Sequence, residues 1–160
     1  MRYPFLYHSI GQISVESLSE DCEIAGDPIQ LYEEWYLKPF RSKYLSDFVE
    51  KNFLGMKVVE DKIYLSHAKR SKFHIDTQRR NYITHRILIP LDTHFQYEWY
   101  IEDRLHTYKP KAGEVLMFNN MIPHSFTLDS GRTDSRAVIF FNIFDPNSTP
   151  YIPLIDGTVE

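Results

Sequence analysis

The 160-residue sequence contains a single cysteine, Cys22. One thiol builds neither a disulfide framework nor a cysteine-based zinc cluster, so histidines and carboxylates are left as the metal-binding side chains. Such sparing use of cysteine fits a reducing compartment. A basic surplus is also missing. Eighteen Lys and Arg stand against 22 Asp and Glu, a formal net charge of −4, which gives no reason to expect a nucleic-acid partner. No apolar run approaches the roughly 20 residues of a spanning helix, and the N-terminus lacks the apolar core of a signal peptide. The expectation is a cytoplasmic protein with no membrane partner. Internal repeats and low-complexity segments are absent, which excludes solenoid and fibrous architectures. What remains is ordinary globular composition, 42% apolar and 25% charged, with a surplus of aromatics: 11 Tyr, 11 Phe and 2 Trp. Aromatic side chains favour strands and pocket walls. The length suits one domain, with no reading of oligomeric state.

The chain changes character near residue 57. Before it, helical signals dominate. Asp27-Pro28 reads as an N-cap with proline at the first helical position, and Ile29, Leu31, Tyr32, Trp35 and Tyr36 recur near helical spacing until Pro39. A second helix is expected over 42–53, with Leu45, Phe48, Val49 and Phe53 as its apolar stripe and Gly55 just past its end. After Met56 short strands are expected at 62–66, 82–91, 95–101, 105–108, 115–118, 125–128 and 137–144, separated by turn signals such as Lys109-Pro110 and Ser130-Gly131. The expected fold is mainly β (α+β), an antiparallel sandwich or jelly roll with two N-terminal helices packed outside. Its helical part spans about 27–55, its β core about 57–145 and an extended tail 146–160.

His74-Ile75-Asp76 is the first group with chemical promise. Residues i and i+2 of a strand share a face, so an imidazole and a carboxylate point at one spot. Two His and one carboxylate on one side of a metal suit non-heme Fe(II) oxygenases. With 7 His and 22 acidic residues, about one His-x-Asp/Glu match arises by chance, so the tripeptide alone reads more readily as a surface or capped pair at a strand end. The rest of the chain adds to it. His124 follows a turn glycine, Gly113, and the strand Val115-Leu116-Met117-Phe118. A hairpin centred near residue 130 sets His124 opposite Arg136 on neighbouring strands. A buried arginine there needs an anion, and its fork suits a carboxylate. The plainer alternative is a salt bridge to Asp134 or Asp129.

On these pieces the stretch 64–144 resembles the Fe(II)/2-oxoglutarate-dependent oxygenases, with the aspartyl/asparaginyl β-hydroxylase-like and free-proline hydroxylase-like proteins as the nearest branch. The matching pieces are His74-x-Asp76, Arg86-Ile87-Leu88-Ile89-Pro90-Leu91, Gly113-Glu114-Val115-Leu116-Met117-Phe118, His124 and Arg136, roughly half of the chain. The resemblance implies a cupin-like double-stranded β-helix. It implies Fe(II) on His74, Asp76 and His124, and 2-oxoglutarate as cosubstrate with its far carboxylate on Arg136. Arg86 is a second candidate for the cosubstrate. It further implies O₂ and a small molecule or amino-acid side chain as reaction partners, hydroxylated at an unactivated C–H bond. Two departures stand out: Leu88 where some relatives carry His, and a slightly long His-to-Arg interval, which leaves Arg132 as an alternative to Arg136.

The remaining histidines read more simply. His85 points away from Arg86, His94 falls in a loop, His67 and His8 are structural, and His106 is a minor pocket candidate. Tyr64, Tyr82, Tyr97 and Trp99 are possible pocket walls, though strand aromatics are more often core. The basic residues Lys69, Arg70, Lys72, Arg79 and Arg80 flank the proposed site and read as a solvated face, or alternatively as a rim that steers an anionic substrate or 2-oxoglutarate. A rival reading is a non-catalytic cupin-like module that binds a small ligand or a metal.

Overall fold

A computed structural model of the chain describes residues 6–32, 35–69, 71–75 and 84–147. Asp76, Arg70, Arg79, Arg80, Tyr82 and the tail beyond 147 lie outside the described residues. The described elements are β1 (Tyr7–Gln12), α1 (Val15–Asp21), β2 (Glu23–Ile24), β3 (Ile29–Tyr32), β4 (Trp35–Arg41), α2 (Lys43–Asn52), β5 (Lys57–Val58) and β6 (Ile63–Ala68). They continue with β7 (His85–Pro90), β8 (Phe95–Ile101), β9 (Arg104–Tyr108), β10 (Glu114–Phe118), β11 (His124–Leu128) and β12 (Arg136–Phe144). All pairings between these strands are antiparallel. The larger sheet runs β1-β10-β7-β12-β6-β4-β2 and the smaller β11-β8-β9. The architecture is mainly β, consistent with a jelly-roll or cupin fold. Among the described residues no helix is long and apolar enough to cross a membrane.

Strand alternation divides the core into two layers. On β12, Ile139, Phe141 and Ile143 join Ile87 and Ile89 of β7 in one cluster with Leu18 of α1 and Leu45 and Val49 of α2. The opposite faces of the same strands, with Leu88 and Val138, meet Phe95, Tyr97, Trp99 and Phe126 of the smaller sheet. The helices therefore cover the outside of the larger sheet, and the functional cavity opens between the two sheets. Helix α2 stands where expected. Ser42 caps it, accepting from Leu45 N–H at 3.1 Å and donating to Asp21 Oδ1 at 2.6 Å. Gly55 takes φ +80° beyond its end.

The other helix is corrected. Residues 29–32 form β3 and residues 35–36 open β4, and the first helix is α1, over Val15–Asp21. The helical part is thus not 27–55. Apolar residues at 29, 31, 32, 35 and 36 satisfy a helical stripe and a pair of strands equally well, and β-branched and aromatic side chains then favour the sheet. Pro39 does not end a helix. It sits inside β4, where its carbonyl accepts from Ala25 N–H at 2.8 Å. Helix α1 buries a single residue, Leu18, so its apolar signal is slight.

The strands expected after residue 62 are present within a residue or two of their bounds, except that the one expected from 82 is described from His85, with 82 and 83 outside the described residues, and the turn before β10 depends on Gly113. Its φ is +82°, and a Cβ there would lie 2.3 Å from Ile13 O and 2.7 Å from Gln12 Nε2. Gly131 has a similar φ of +81° but nothing within 4 Å. Both Gly→Ala changes incur backbone strain of about 1 kcal/mol or more. Gly113→Ala adds a clash with main chain and is expected to lower unfolding free energy clearly more than Gly131→Ala. Urea melts of the two variants, equal within error, would contradict this.

Candidate functional site

His74 and His124 are joined by the backbone before their side chains meet. His74 N–H donates to His124 O at 3.1 Å, and His124 N–H to His74 O at 3.0 Å, an isolated antiparallel bridge. Directly paired residues send their side chains to the same face. The two ring centroids stand 4.4 Å apart. Each ring is also oriented by a carbonyl two residues earlier in the chain: His74 Nδ1 lies 2.6 Å from Lys72 O, and His124 Nδ1 lies 2.8 Å from Ile122 O. A carbonyl only accepts, so each Nδ1 carries the proton, and the lone pair of each neutral ring falls on Nε2. Metal-binding imidazoles use this arrangement, in which the second nitrogen is fixed by a hydrogen bond.

Both histidines line a cavity of about 950 Å³ between the sheets. That lies at the upper end of the usual range for small-molecule sites. Arg136, Arg86, Tyr97 and Trp35 line it too. Arg136 is buried, with its guanidinium 4.0 Å from the Phe126 ring centroid and 5.6 Å from that of Phe95. Its Nε has no hydrogen-bond partner, and no described carboxylate forms an ion pair with it. Burial lowers its pKa, which Tyr97 and Asp92 oppose. Tyr97 Oη is likewise buried without a partner, and burial raises its pKa. Asp92 spends one oxygen on Ala137 N–H at 3.0 Å; burial raises its pKa against that bond, His94 and Arg136. The cavity thus holds a desolvated cation and a desolvated hydroxyl, two donors awaiting an acceptor.

The expected hairpin pairing of His124 with Arg136 does not form. Strand β11 pairs with β8, and β12 pairs with β6 and β7; Arg136 lies opposite Ala68. Strand β12 is apolar on both faces, so it is most stable inside the larger sheet, and residues 129–135 carry the chain across from one sheet to the other. Arg136 and His124 still line one cavity, from opposite walls. Arg132 stays in the polar turn, where its Nε and Nη2 bind Asp134 at 2.9 and 2.6 Å. Arg86 Nε donates to Asn142 Oδ1 at 2.9 Å, and its guanidinium lies 4.8 Å from the Phe140 ring centroid. His85 and His106 are exposed, while His94 lies between Asp92 and Asp134 at 3.6 and 3.7 Å. Asp76 lies outside the described residues, and among those described no three His, Cys, Asp or Glu gather into a metal-binding group.

Trp35 is the residue that sequence reasoning missed, because it was read as helical. Its indole N–H donates to Ser66 Oγ at 3.1 Å, and its ring stands 6.4 Å from that of His74. Tyr97 was among the aromatics considered for the pocket; Trp99, also considered, is fully buried in the core beside it.

No protein-family model matches the chain, and no curated protein matches it. Solved structures do. The chain is similar to HygX from Streptomyces hygroscopicus, solved with nickel and 2-oxoglutarate bound, at TM-score 0.61 and 8% identity over 92% of this chain and 89% of that one. A second HygX structure, with hygromycin B also bound, gives TM-score 0.54 and 11% identity over 86% and 80%. An oxidoreductase of the 2OG-Fe(II) oxygenase family from Burkholderia pseudomallei gives TM-score 0.52 and 9% identity over 85% and 77%. At these identities the likeness is one of fold.

A buried cation with no described carboxylate against it destabilises the empty protein. Arg136→Leu is therefore expected to raise unfolding free energy by about 1–4 kcal/mol, the range seen when buried ionic groups give way to apolar side chains. A urea melt showing marked destabilisation would mean that Arg136 supports the fold and does not wait for an anion.

Proposed function

We propose that the protein is an Fe(II)- and 2-oxoglutarate-dependent dioxygenase that hydroxylates an unactivated C–H bond of a small molecule or amino-acid side chain. Within that family we favour the aspartyl/asparaginyl β-hydroxylase-like or free-proline hydroxylase-like branch. The observation that carries the reading is the pairing of two Nδ1-anchored imidazoles with a buried arginine that no described carboxylate pairs with. We read the strand order the same way: β10-β7-β12-β6 facing β9-β8-β11 and the His74 segment makes a four-over-four double-stranded β-helix.

The residues present fit the cofactor. His74 and His124 offer Nε2 lone pairs from one face, and Asp76, two residues after His74, is assigned as the carboxylate ligand. This is the two-histidine, one-carboxylate set that leaves positions open for other ligands. When bound, Fe(II) supplies the redox chemistry that couples O₂ and the decarboxylation of 2-oxoglutarate to C–H oxidation. The protein does the rest. Lys72 O and Ile122 O hold the imidazoles in one tautomer and one orientation. Arg136 receives the far carboxylate of 2-oxoglutarate, and Tyr97 Oη donates beside it. Charge-assisted bonds of this kind are roughly twice as strong as neutral ones, more so in a dry site. Phe126 and Phe95 flank the guanidinium, keep water from it and fix its direction.

The chain is expected to form succinate from 2-oxoglutarate when supplied with Fe(II), ascorbate and air. His74→Ala and His124→Ala should lose metal binding. Arg136→Gln should keep the metal and raise the KM for 2-oxoglutarate at least about tenfold, the worth of one lost charged hydrogen bond. Folded protein that forms no succinate and binds no 2-oxoglutarate in the presence of metal would overturn the reading. Metal-dependent binding without turnover under any substrate would favour a cupin-like binding module.

A further inference from the structure

The described lining of the cavity carries more than one cation. Its described lining includes three cationic side chains, Lys72, Arg86 and Arg136, and no Asp or Glu. The two arginines are separate anchors. Arg86 lies level with Asn142 of β12, whereas Arg136 is six residues earlier on that strand, so their Cα atoms are about 20 Å apart at the rise of a β-strand. The imidazole pair lies between them. On one side Arg136 stacks over Phe126, two residues from His124 on β11. On the other, Phe118 is the register partner of Arg86 and its ring stands 5.1 Å from that of His124. A five-carbon diacid that sits at the histidines with its far end on Arg136 points away from Arg86.

Arg86 is held in place by two residues of β12, through its bond to Asn142 and its position over the Phe140 ring. A preset guanidinium loses little entropy on binding a carboxylate. Near the histidines the wall is flat and apolar: the indole of Trp35 is pinned by Ser66. Lys72 is exposed on the same lining, where it draws anions inward.

We propose that the substrate of this cavity is an organic anion with a flat apolar body, its carboxylate bound by Arg86 on the far side of the histidines from Arg136. The assignment rests on the dioxygenase reading, which supplies the use of Arg136. It makes Arg86 a substrate-binding residue in place of a second cosubstrate contact.

Protein loaded with Ni(II) and 2-oxoglutarate does not turn over and suits calorimetric titration with phenylacetate and its neutral isostere phenylacetamide. The acid is expected to bind at least tenfold more tightly than the amide. Arg86→Gln should abolish that preference while leaving 2-oxoglutarate affinity unchanged, which also shows that the variant is folded; Arg86→Lys should restore part of it. Equal binding of acid and amide, no binding of the acid, an unaffected Arg86→Gln variant, or displacement of 2-oxoglutarate by the acid would each overturn the proposal. Failure of 2-oxoglutarate itself to bind the Ni(II)-loaded protein would be a different result: it would remove the dioxygenase reading and this inference with it.

Discussion

The site depends on two backbone hydrogen bonds. The bridge between His74 and His124 ties a segment 50 residues away in sequence to the edge of the smaller sheet, and it does so at the two residues whose rings must meet. Everything chemical follows from that local register. A slip of one residue would turn one imidazole to the opposite face, since side chains alternate along a strand. The carbonyls of Lys72 and Ile122 then complete the job by fixing which nitrogen of each ring is basic. Backbone geometry sets the donor pair.

Around this pair the protein accepts a cost. Arg136 and Tyr97 are buried with donors unsatisfied, whereas most buried polar atoms find partners. Strained or under-satisfied groups of this kind collect at functional sites, and stability is recovered elsewhere. Here it is recovered on the outer face of the larger sheet, where Ile87, Ile89, Ile139 and Phe141 pack against Leu45 and Val49 of α2. The same strands therefore serve two roles, with odd-numbered residues of β7 and β12 in the structural layer and even-numbered ones toward the cavity.

The sequence made some of this legible and hid the rest, for definable reasons. The strands after residue 62 were readable because short apolar runs end at strong turn signals. His124 stood out because it opens a strand just after a turn glycine and an apolar strand, and Arg136 because it opens the most apolar run of the chain. The hairpin expected between them failed because local turn signals do not report which sheet a strand joins; the two-faced apolarity of β12 was the clue to its central place. Residues 29–36 were misread because five apolar positions in eight fit either period, and Trp35 was lost from the site with them. That no described carboxylate pairs with Arg136 could not be read from sequence, since Asp129 and Asp134 lie near it in the chain, yet Asp134 binds Arg132 and Asp129 binds Lys109.

The central claim is that one metal bound by His74 and His124 shares its cavity with a dicarboxylate anchored on Arg136. Crystals grown with Ni(II) and 2-oxoglutarate test it directly through the anomalous signal of the metal. The account predicts an anomalous peak within bonding distance of both Nε2 atoms and of Asp76, with the far carboxylate of 2-oxoglutarate against the Arg136 guanidinium. Metal bound elsewhere, or a carboxylate that leaves Arg136 without a partner, would contradict it.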